Sequence, residues 1–247
     1  MTRPLMVCHK RPVGQVVKTE ASHAFNIGSN PVRVTKKSST HVEDFSIAYI
    51  IVIRGVHMDV RALLDVLHIA ERLKDEIRHC TTSKGRPESV AEHSWRIALM
   101  AFFMRDEFPE LDMDKVIRMC LIHDLGECFT GDIPSFLKTE ADEQREDDTL
   151  ARWVASLPEP YCRDMAALYA EMNALETPEA KLYKALDKME AVIQHNESPI
   201  ETWEPHEYQL NVDYAWGNVA HSPYLTELRQ AIKEDTLAKI AEKQAKA

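Results

Sequence analysis

The sequence predicts an all-α fold, and two observations support that prediction. From residue 58 onward, segments whose apolar residues recur three and four residues apart follow one another along the chain. Only seven glycines occur in 247 residues, and segments in which apolar and polar residues alternate are scarce. Strands and the tight turns that connect them are therefore not expected to form the core.

Composition and charge argue against two classes of partner. Charged residues make up 28% of the chain and apolar residues 45%, as in an ordinary globular domain. The net charge of −10 argues against general nucleic-acid binding, which needs a basic face. No apolar run approaches the ~20 residues that a membrane-spanning helix needs. We therefore expect no nucleic-acid or membrane partner, and any phosphate site must be locally cationic.

The five cysteines are scattered along the chain without a Cys-x-x-Cys pair. An odd, scattered set indicates reduced thiols inside a cell rather than a disulfide framework. No secretory signal opens the chain. These features predict a cytoplasmic protein.

Residues 1–57 differ in composition from all that follows. They contain eight Lys or Arg residues against three Asp or Glu, a net +5, which leaves −15 for residues 58–247. Within them only Ile47–Ile53 resembles a strand. We predict a mostly irregular basic extension that is not part of the catalytic fold. A targeting peptide is the alternative, and Met58 could itself be the translation start.

From Asp59 onward the pattern is helical. The first predicted helix has an apolar stripe of Val60, Leu63 and Leu67, which recur at helical spacing. It ends in a polar loop that we assign to residues 77–85.

The second predicted helix starts near Pro87–Glu88 and runs to Phe108, where Pro109 stops it. From Ile97 to Met104 the helix is apolar on every side, which predicts a central, buried position. Its tryptophan and phenylalanine residues are accordingly expected in the core, and not on a surface that stacks nucleotide bases.

Start signals define the remaining helices. Asp112 is a suitable N-cap for a third helix that runs to His123. Thr177 followed by Pro178 signals a further helix, because proline fits the first helical position. The other predicted helices cover about 139–156 and about 160–174, and a final helix has Leu225, Leu228 and Ile232 facing inward.

The residue types that bind metal ions cluster between residues 88 and 134. His123 follows Val116 and Cys120 on the inward stripe of the third helix. Asp124 therefore lies at a buried helix end, where a lone carboxylate is costly unless a cation compensates it. Imidazole and carboxylate together suit a divalent ion such as Zn, Mn, Fe or Co. The candidates in this stretch are His93, His123, Asp124, Glu127 and Asp132.

The order of His93, His123-Asp124 and Asp187 resembles that of the HD superfamily of metal-dependent phosphohydrolases. Two motifs, Glu-Ser-Val-Ala-Glu-His-Ser and His-Asp-x-x-Glu-x-x-x-Gly-Asp-Ile, resemble its 5′-deoxynucleotidase branch, which removes phosphate from deoxyribonucleoside 5′-monophosphates. The resemblance covers about residues 60–240. It implies an HD-domain helical bundle over residues 58–247.

The resemblance also implies roles for individual residues. Glu127 would handle the nucleophilic water, and Asp132 would protonate the leaving O5′ atom or help to place the sugar. Arg78, 15 residues before His93, matches the phosphate-binding arginine of the branch. Bacterial members often have Trp at the next position, where this chain has His79. The implied metal ligands are His93, His123, Asp124 and Asp187.

The chemistry of these residue types supports the resemblance. Two neutral imidazoles and two carboxylates make an electroneutral site with one divalent ion, whether Mn, Co, Mg, Fe or Zn. HD enzymes with two or three metals use further histidines after the His-Asp pair, and none occurs between Asp124 and Asp187. We therefore expect one ion. The positive charge that a phosphate dianion needs could come from Arg78 and Arg86, because guanidinium binds phosphate bidentately.

Each candidate also has a plainer interpretation. Taken singly, His123 is more often a core histidine and Asp187 a carboxylate on a helix surface. Four such residues in the family order favour a metal site instead. An arginine such as Arg78 or Arg86 is usually only a solvated charge.

The leading hypothesis is a phosphomonoesterase that acts on deoxyribonucleoside 5′-monophosphates. One alternative keeps the metal but changes the ester to a nucleoside triphosphate or to a cyclic or other small phosphate. Another is a metal-stabilised helical module that binds without turnover. Glu127 and Asp132 argue against that module, since binding alone does not need them. The expected partner is a small-molecule nucleotide, and self-association into a homodimer stays open.

Overall fold

The structure is a computed structural model that describes residues 58–134 and 137–246. In this part of the chain, helices account for nearly all regular structure, and the predicted all-α fold is confirmed. The helices are α1 (Val60–Glu71), α2 (Val90–Met104), α3 (Met113–Ile122), α4 (Glu127–Thr130), α5 (Glu140–Ala155), α6 (Tyr161–Ala174), α7 (Pro178–Glu197), α8 (Glu207–Asp213), α9 (Trp216–Val219) and α10 (Pro223–Lys246).

The predicted extension and its strand-like run, Ile47–Ile53, lie outside the described residues. The division of the chain at residue 58 therefore stays a prediction.

Between α1 and α2 the structure has a short antiparallel hairpin where we predicted a polar loop. Strand β1 (Ile77–Thr81) pairs with β2 (Pro87–Ser89), and Ile77 lies opposite Ser89. The turn between them contains Gly85, whose φ of 80° is readily adopted by glycine. The loop prediction was wrong for β1 because polar side chains fill most of this strand, so no alternation of apolar residues marks it.

Side-chain caps determine where the helices start. At α2 the Ser89 hydroxyl accepts a hydrogen bond from the backbone N–H of Glu92, and the Glu92 carboxylate accepts one from the backbone N–H of Ser89. The helix therefore begins after this cap and not at Pro87–Glu88, which belong to β2. Asp112 caps α3 and Thr177 caps α7, as predicted.

Helix α7 lies at the centre of the bundle. It packs against α2, α3, α6, α9 and α10, and its Leu182, Leu186 and Met189 side chains are fully buried. Helices α2 and α3 also pack against each other. Leu225 and Ile232 of α10 face the core, as predicted. Side chains from α2, from the end of α3 and from the middle of α7 consequently meet inside the bundle.

The apolar residues of α2 are not all in the core. Trp95, Phe102 and Phe103 are 61%, 47% and 75% exposed, whereas Ile97 and Ala101 are fully buried. The prediction that the aromatic residues of this helix lie in the core was therefore wrong. A helix that is apolar on every side gives no indication of which side its neighbours cover.

Helix α1 exposes the apolar stripe that the sequence predicts. Val60 is 70% exposed and Leu67 52% exposed, and no residue of this helix is buried. Neither α1 nor any other helix of residues 58–134 and 137–246 is long and apolar enough to cross a membrane.

Candidate metal centre and active site

Three helices bring the four candidate metal ligands together. His93 lies one turn into α2, while His123 and Asp124 directly follow α3. Asp187 lies in the middle of α7. Their side chains are between 1% and 20% exposed. Carboxylates in such a position lose most of their hydration and require a compensating positive charge.

The distances between the ligand atoms fit one small cation. His123 Nε2 lies 2.8 Å from Asp124 Oδ2 and 3.9 Å from Asp187 Oδ1. His93 Nε2 lies 3.3 Å from Asp187 Oδ1 and 3.9 Å from Asp124 Oδ2. Atoms that bind one ion at ~2.1 Å lie about 3–3.5 Å from one another. The candidate ligand atoms of His93, His123 and Asp124 all lie within 4.8 Å of one another, whereas Asp187 is outside that group and approaches the two histidines.

The second nitrogen of each histidine is held by another group. His93 Nδ1 lies 2.5 Å from the Glu190 carboxylate, and His123 Nδ1 lies 3.0 Å from the Cys120 carbonyl oxygen. Hydrogen bonds from Nδ1 leave Nε2 as the candidate ligand atom in both rings. His123 Nε2 is buried, and despite the proximity of Asp124 it has no hydrogen-bond partner among the described residues. A cation would satisfy this atom, so the donor set fits a metal ion.

Ionisation of the centre also favours a cation. Burial raises the pKa of Asp124, but the charge of His123 lowers it to about 2. Burial acts on Asp187 too, yet the Lys184 ammonium 2.8 Å away holds the pKa of that carboxyl well below its usual range. Burial lowers the pKa of His93, whereas the hydrogen bond to Asp187 helps to raise it to about 9. The lowered pKa values favour the ionised form of both carboxylates, whose charge Lys184 and the histidines partly balance and a bound cation would balance further.

Two further carboxyl groups lie beside the centre. Glu127 opens α4 and is buried, and its Oε2 atom lacks a hydrogen-bond partner in the part of the chain that the structure describes. Burial, followed by the charge of Asp124, raises the pKa of Glu127 to about 10. Asp132 follows Gly131, whose φ is 78°, and burial raises the pKa of Asp132 as well. Neighbouring carboxyls with perturbed pKa values are typical of sites that transfer protons.

Three of the candidate ligands and these two carboxyls line one cavity of about 190 Å³, whereas His123 is not among its lining residues. Its lining combines carboxylates with cationic side chains, so it can accommodate a ligand that is both anionic and polar. Among the lining residues are His93, Asp124, Glu127, Asp132, Asp187 and Arg78.

The chain matches the family model of the HD domain over residues 70–224. It belongs to the HD-domain family. The human protein named 5′-deoxynucleotidase HDDC2 is 30% identical over 185 residues, which cover 73% of this chain and 89% of the human protein. The family match and these relatives together show that this HD-domain chain is a hydrolase of the phosphohydrolase type.

Solved structures agree with this assignment. A predicted metal-dependent phosphohydrolase from Magnetospirillum magnetotacticum is 30% identical and superposes with a TM-score of 0.63, covering 73% of this chain and 93% of that protein. The PH0347 protein from Pyrococcus horikoshii is 20% identical with a TM-score of 0.56, covering 70% of this chain and 99% of that protein. The second similarity shows that the fold is shared.

The two candidate phosphate-binding arginines occupy different positions in this HD domain. Arg78 lines the cavity, and its Nη1 atom lies 2.9 Å from Glu88 and 3.4 Å from Glu190. Arg86 follows the hairpin turn, is 59% exposed in its side chain, and forms an ion pair with Glu92. Arg86 does not line the cavity. The structure therefore brings Arg78 to the site and leaves Arg86 outside it.

Three lysines that the sequence did not single out line the cavity of the HD domain. Lys184 Nζ lies 2.8 Å from Asp187, and Lys138 Nζ lies 2.6 Å from Glu146. Lys188 is the third. Their sequence signal is weak, because a single lysine on a helix is usually a solvated charge. Only the spacing of Lys184 from Asp187, one helical turn, pointed to the site.

A second polar group lies in the same cavity lining. His195 Nε2 is 2.8 Å from Glu207 Oε1, and His79 Nε2 is 3.3 Å from the same oxygen. Cys80 Sγ is 3.4 Å from His195 Nδ1. His79, which follows Arg78 in the sequence, also lines the cavity. Nothing in the sequence indicated that His195 and Glu207 would lie beside it.

Proposed function

We propose that this HD domain hydrolyses deoxyribonucleoside 5′-monophosphates to deoxyribonucleosides and phosphate with the help of one divalent cation. The observation that supports the proposal most strongly is that His93, Asp124 and Asp187 line the same cavity as Glu127 and Arg78, with His123 Nε2 2.8 Å from Asp124 behind them. The human relative, which this chain matches over most of its length, is named a 5′-deoxynucleotidase. That name favours this substrate class over other phosphate esters.

The cation would be held by two imidazoles and two carboxylates. When bound, such an ion polarises a phosphoryl oxygen and lowers the pKa of a coordinated water. Mixed nitrogen and oxygen ligands suit Mn, Co, Fe or Zn. Mg, a chemically hard cation that prefers oxygen ligands, is the alternative. The proposed ligands are His93, His123, Asp124 and Asp187.

Glu127 is proposed to take a proton from the attacking water. Its carboxyl group is buried next to Asp124, and its Oε2 atom is not engaged by any described side chain. The group is thus free to make a new hydrogen bond inside the cavity. A cation in the centre would offset the charge of Asp124 and favour the ionised form of Glu127, which is the form that accepts a proton.

Asp132 is proposed to act on the other side of the reaction, at the leaving group. Burial raises its pKa, so a proton is held more readily than on an exposed aspartate. It lines the same cavity as Glu127. Asp132 could therefore protonate the leaving O5′ atom or hydrogen-bond the sugar.

The phosphate would be bound by the cationic side chains of the cavity. Arg78 is the principal candidate, since its guanidinium is held in place by Glu88. Lys138 and Lys188 also line the cavity and add the positive charge that a chain of net charge −10 must supply locally. Arg86 lies outside this arrangement, so we do not retain it as a phosphate ligand.

Replacing Arg78 and Arg86 in parallel tests the phosphate assignment. Arg78→Lys keeps the charge but removes the bidentate contact, and a charge-assisted hydrogen bond contributes ~1.5–3 kcal/mol. We expect kcat/KM to fall at least tenfold with metal binding unchanged. Arg86→Lys is the matched control and should stay within about twofold of the wild type. Equal effects of the two substitutions would contradict the assignment of Arg78.

A substrate panel tests the reaction itself. Purified protein is assayed against deoxyribonucleoside and ribonucleoside 5′-monophosphates, with Mn, Co, Mg and Zn supplied in turn. We expect hydrolysis of the deoxy compounds with a kcat/KM about tenfold or more above the ribo compounds, because a 2′-hydroxyl that loses its water without gaining a partner costs ~1–3 kcal/mol. Equal values of kcat/KM for each pair would contradict the deoxyribose preference.

Two further expectations from the sequence stay predictions. Cytoplasmic localisation is one. Homodimer formation is the other, and the exposed Trp95, Phe102 and Phe103 of α2 are side chains of the kind that subunit interfaces cover. Light scattering of the purified chain would measure its mass in solution.

A further inference from the structure

Glu190 lies between the metal centre and Arg78. It is located on α7, one helical turn after Asp187, and is fully buried. Its Oε2 atom lies 2.5 Å from His93 Nδ1 and 3.4 Å from Arg78 Nη1. Its other oxygen, Oε1, lies 3.6 Å from Arg96 Nε. One carboxylate therefore contacts a proposed metal ligand and the proposed phosphate-binding arginine.

The contact with Glu190 determines which nitrogen of His93 is available to a cation. Because Nδ1 faces a carboxylate, Nδ1 carries a hydrogen and donates it. Nε2 then faces Asp124 and Asp187, at 3.9 and 3.3 Å. A carboxylate acceptor also increases the electron density that an imidazole offers to a metal ion. Without Glu190, the His93 ring could carry its hydrogen on Nε2 or rotate. In either case the Nε2 lone pair would no longer be directed at a cation.

Two arginines allow the Glu190 carboxylate to be buried. An unpaired carboxylate at zero exposure would be costly, and the guanidinium groups of Arg78 and Arg96 supply opposite charge on two sides. Glu88 offers a natural comparison, since it is also buried and lies 2.9 Å from Arg78. Among the described contacts, however, Glu88 makes no hydrogen bond to His93. Glu190 and Glu88 thus differ in their link to the metal centre.

We propose that Glu190 is a positioning residue for metal binding, which holds the His93 ring with Nε2 directed toward Asp124 and Asp187. The inference rests on the metal centre of the proposed function and is independent of the substrate. It assigns to Glu190 no contact with the reacting atoms.

Calorimetric titration of the full chain with Zn²⁺ and Mn²⁺ tests the role. Residues that orient a metal-binding histidine typically contribute ~10–100-fold to metal affinity. We expect Glu190→Gln, which keeps an acceptor but loses the charge, to weaken binding about tenfold. Glu190→Leu, which loses the acceptor as well, should weaken it further. Glu88→Gln is the matched control, because it also removes a buried carboxylate beside Arg78, and it should leave affinity within about twofold.

A spectroscopic measurement separates positioning from general destabilisation. In the Zn²⁺-loaded, ¹⁵N-labelled protein, the Nδ1–H proton of His93 should resonate far downfield, and Glu190→Gln should shift it upfield while circular dichroism stays unchanged. Wild-type metal affinity in either Glu190 variant would overturn the proposal, as would an equal loss in Glu88→Gln or an unshifted His93 proton. Failure to hydrolyse nucleotides with this pattern of metal binding intact would instead refute the proposed substrate.

Discussion

Asp187→Ala is expected to abolish metal binding and activity together. Asp187 lies 63 residues after Asp124 in the sequence, yet its Oδ1 atom lies 3.3 Å from His93 Nε2. If it is a ligand, its removal takes away one of four donors. The loss of affinity should then exceed the roughly 10–100-fold that accompanies loss of a residue supporting a ligand. Calorimetry with Mn²⁺ and the rate of phosphate release measure the two effects.

A matched control separates loss of the ligand from loss of negative charge. Asp235→Ala removes the same chemical group from an exposed position on α10 and should change neither metal binding nor rate. Lys184 would lose its partner in Asp187→Ala, so Lys184→Met should also be measured. Full metal occupancy in Asp187→Ala would show that the fourth ligand lies elsewhere.

Glu127→Gln is expected to lower kcat by roughly 10²–10⁴-fold while the protein still binds metal. The amide preserves the shape of the side chain but cannot take a proton from water. Because Glu127 Oε2 lacks a hydrogen-bond partner within the described residues, the replacement breaks no existing contact at that atom. Substrate affinity should change little, so the loss should appear in kcat rather than in KM.

Two results would contradict this role for Glu127. Loss of metal in Glu127→Gln would make the residue a ligand or a structural support. An unchanged kcat would mean that no proton passes to this carboxyl group. Glu242→Gln is a suitable control, because Glu242 is exposed on α10 and does not line the cavity.

The resemblance to HD phosphohydrolases implied the four candidate ligands, and the helical positions of two of them could also be predicted from local patterns. His123 shares an inward stripe with Val116 and Cys120, and Asp187 lies on a helix whose start is marked by Thr177. Helix caps and apolar stripes of this kind depend on residues only a few positions apart, so they can be predicted without knowledge of the tertiary structure. The order of the motifs then linked segments that are far apart in sequence.

Other features depended on packing that no local pattern encodes. The resemblance singled out Arg78, but no local pattern shows that the hairpin directs Arg78 into the cavity and Arg86 toward Glu92. Phe103 lies in a run of apolar residues but on the uncovered side of α2. Lys138 is recognised as a cavity residue only once α4 and α5 are in place.

Anomalous diffraction from crystals soaked with Mn²⁺ would locate the proposed ion. We expect one strong peak within bonding distance of His93 Nε2, His123 Nε2, Asp124 and Asp187, and no second peak in the cavity. A peak that lacks any one of these four contacts, two adjacent peaks, or no peak at this position would contradict a single-ion centre built from these residues.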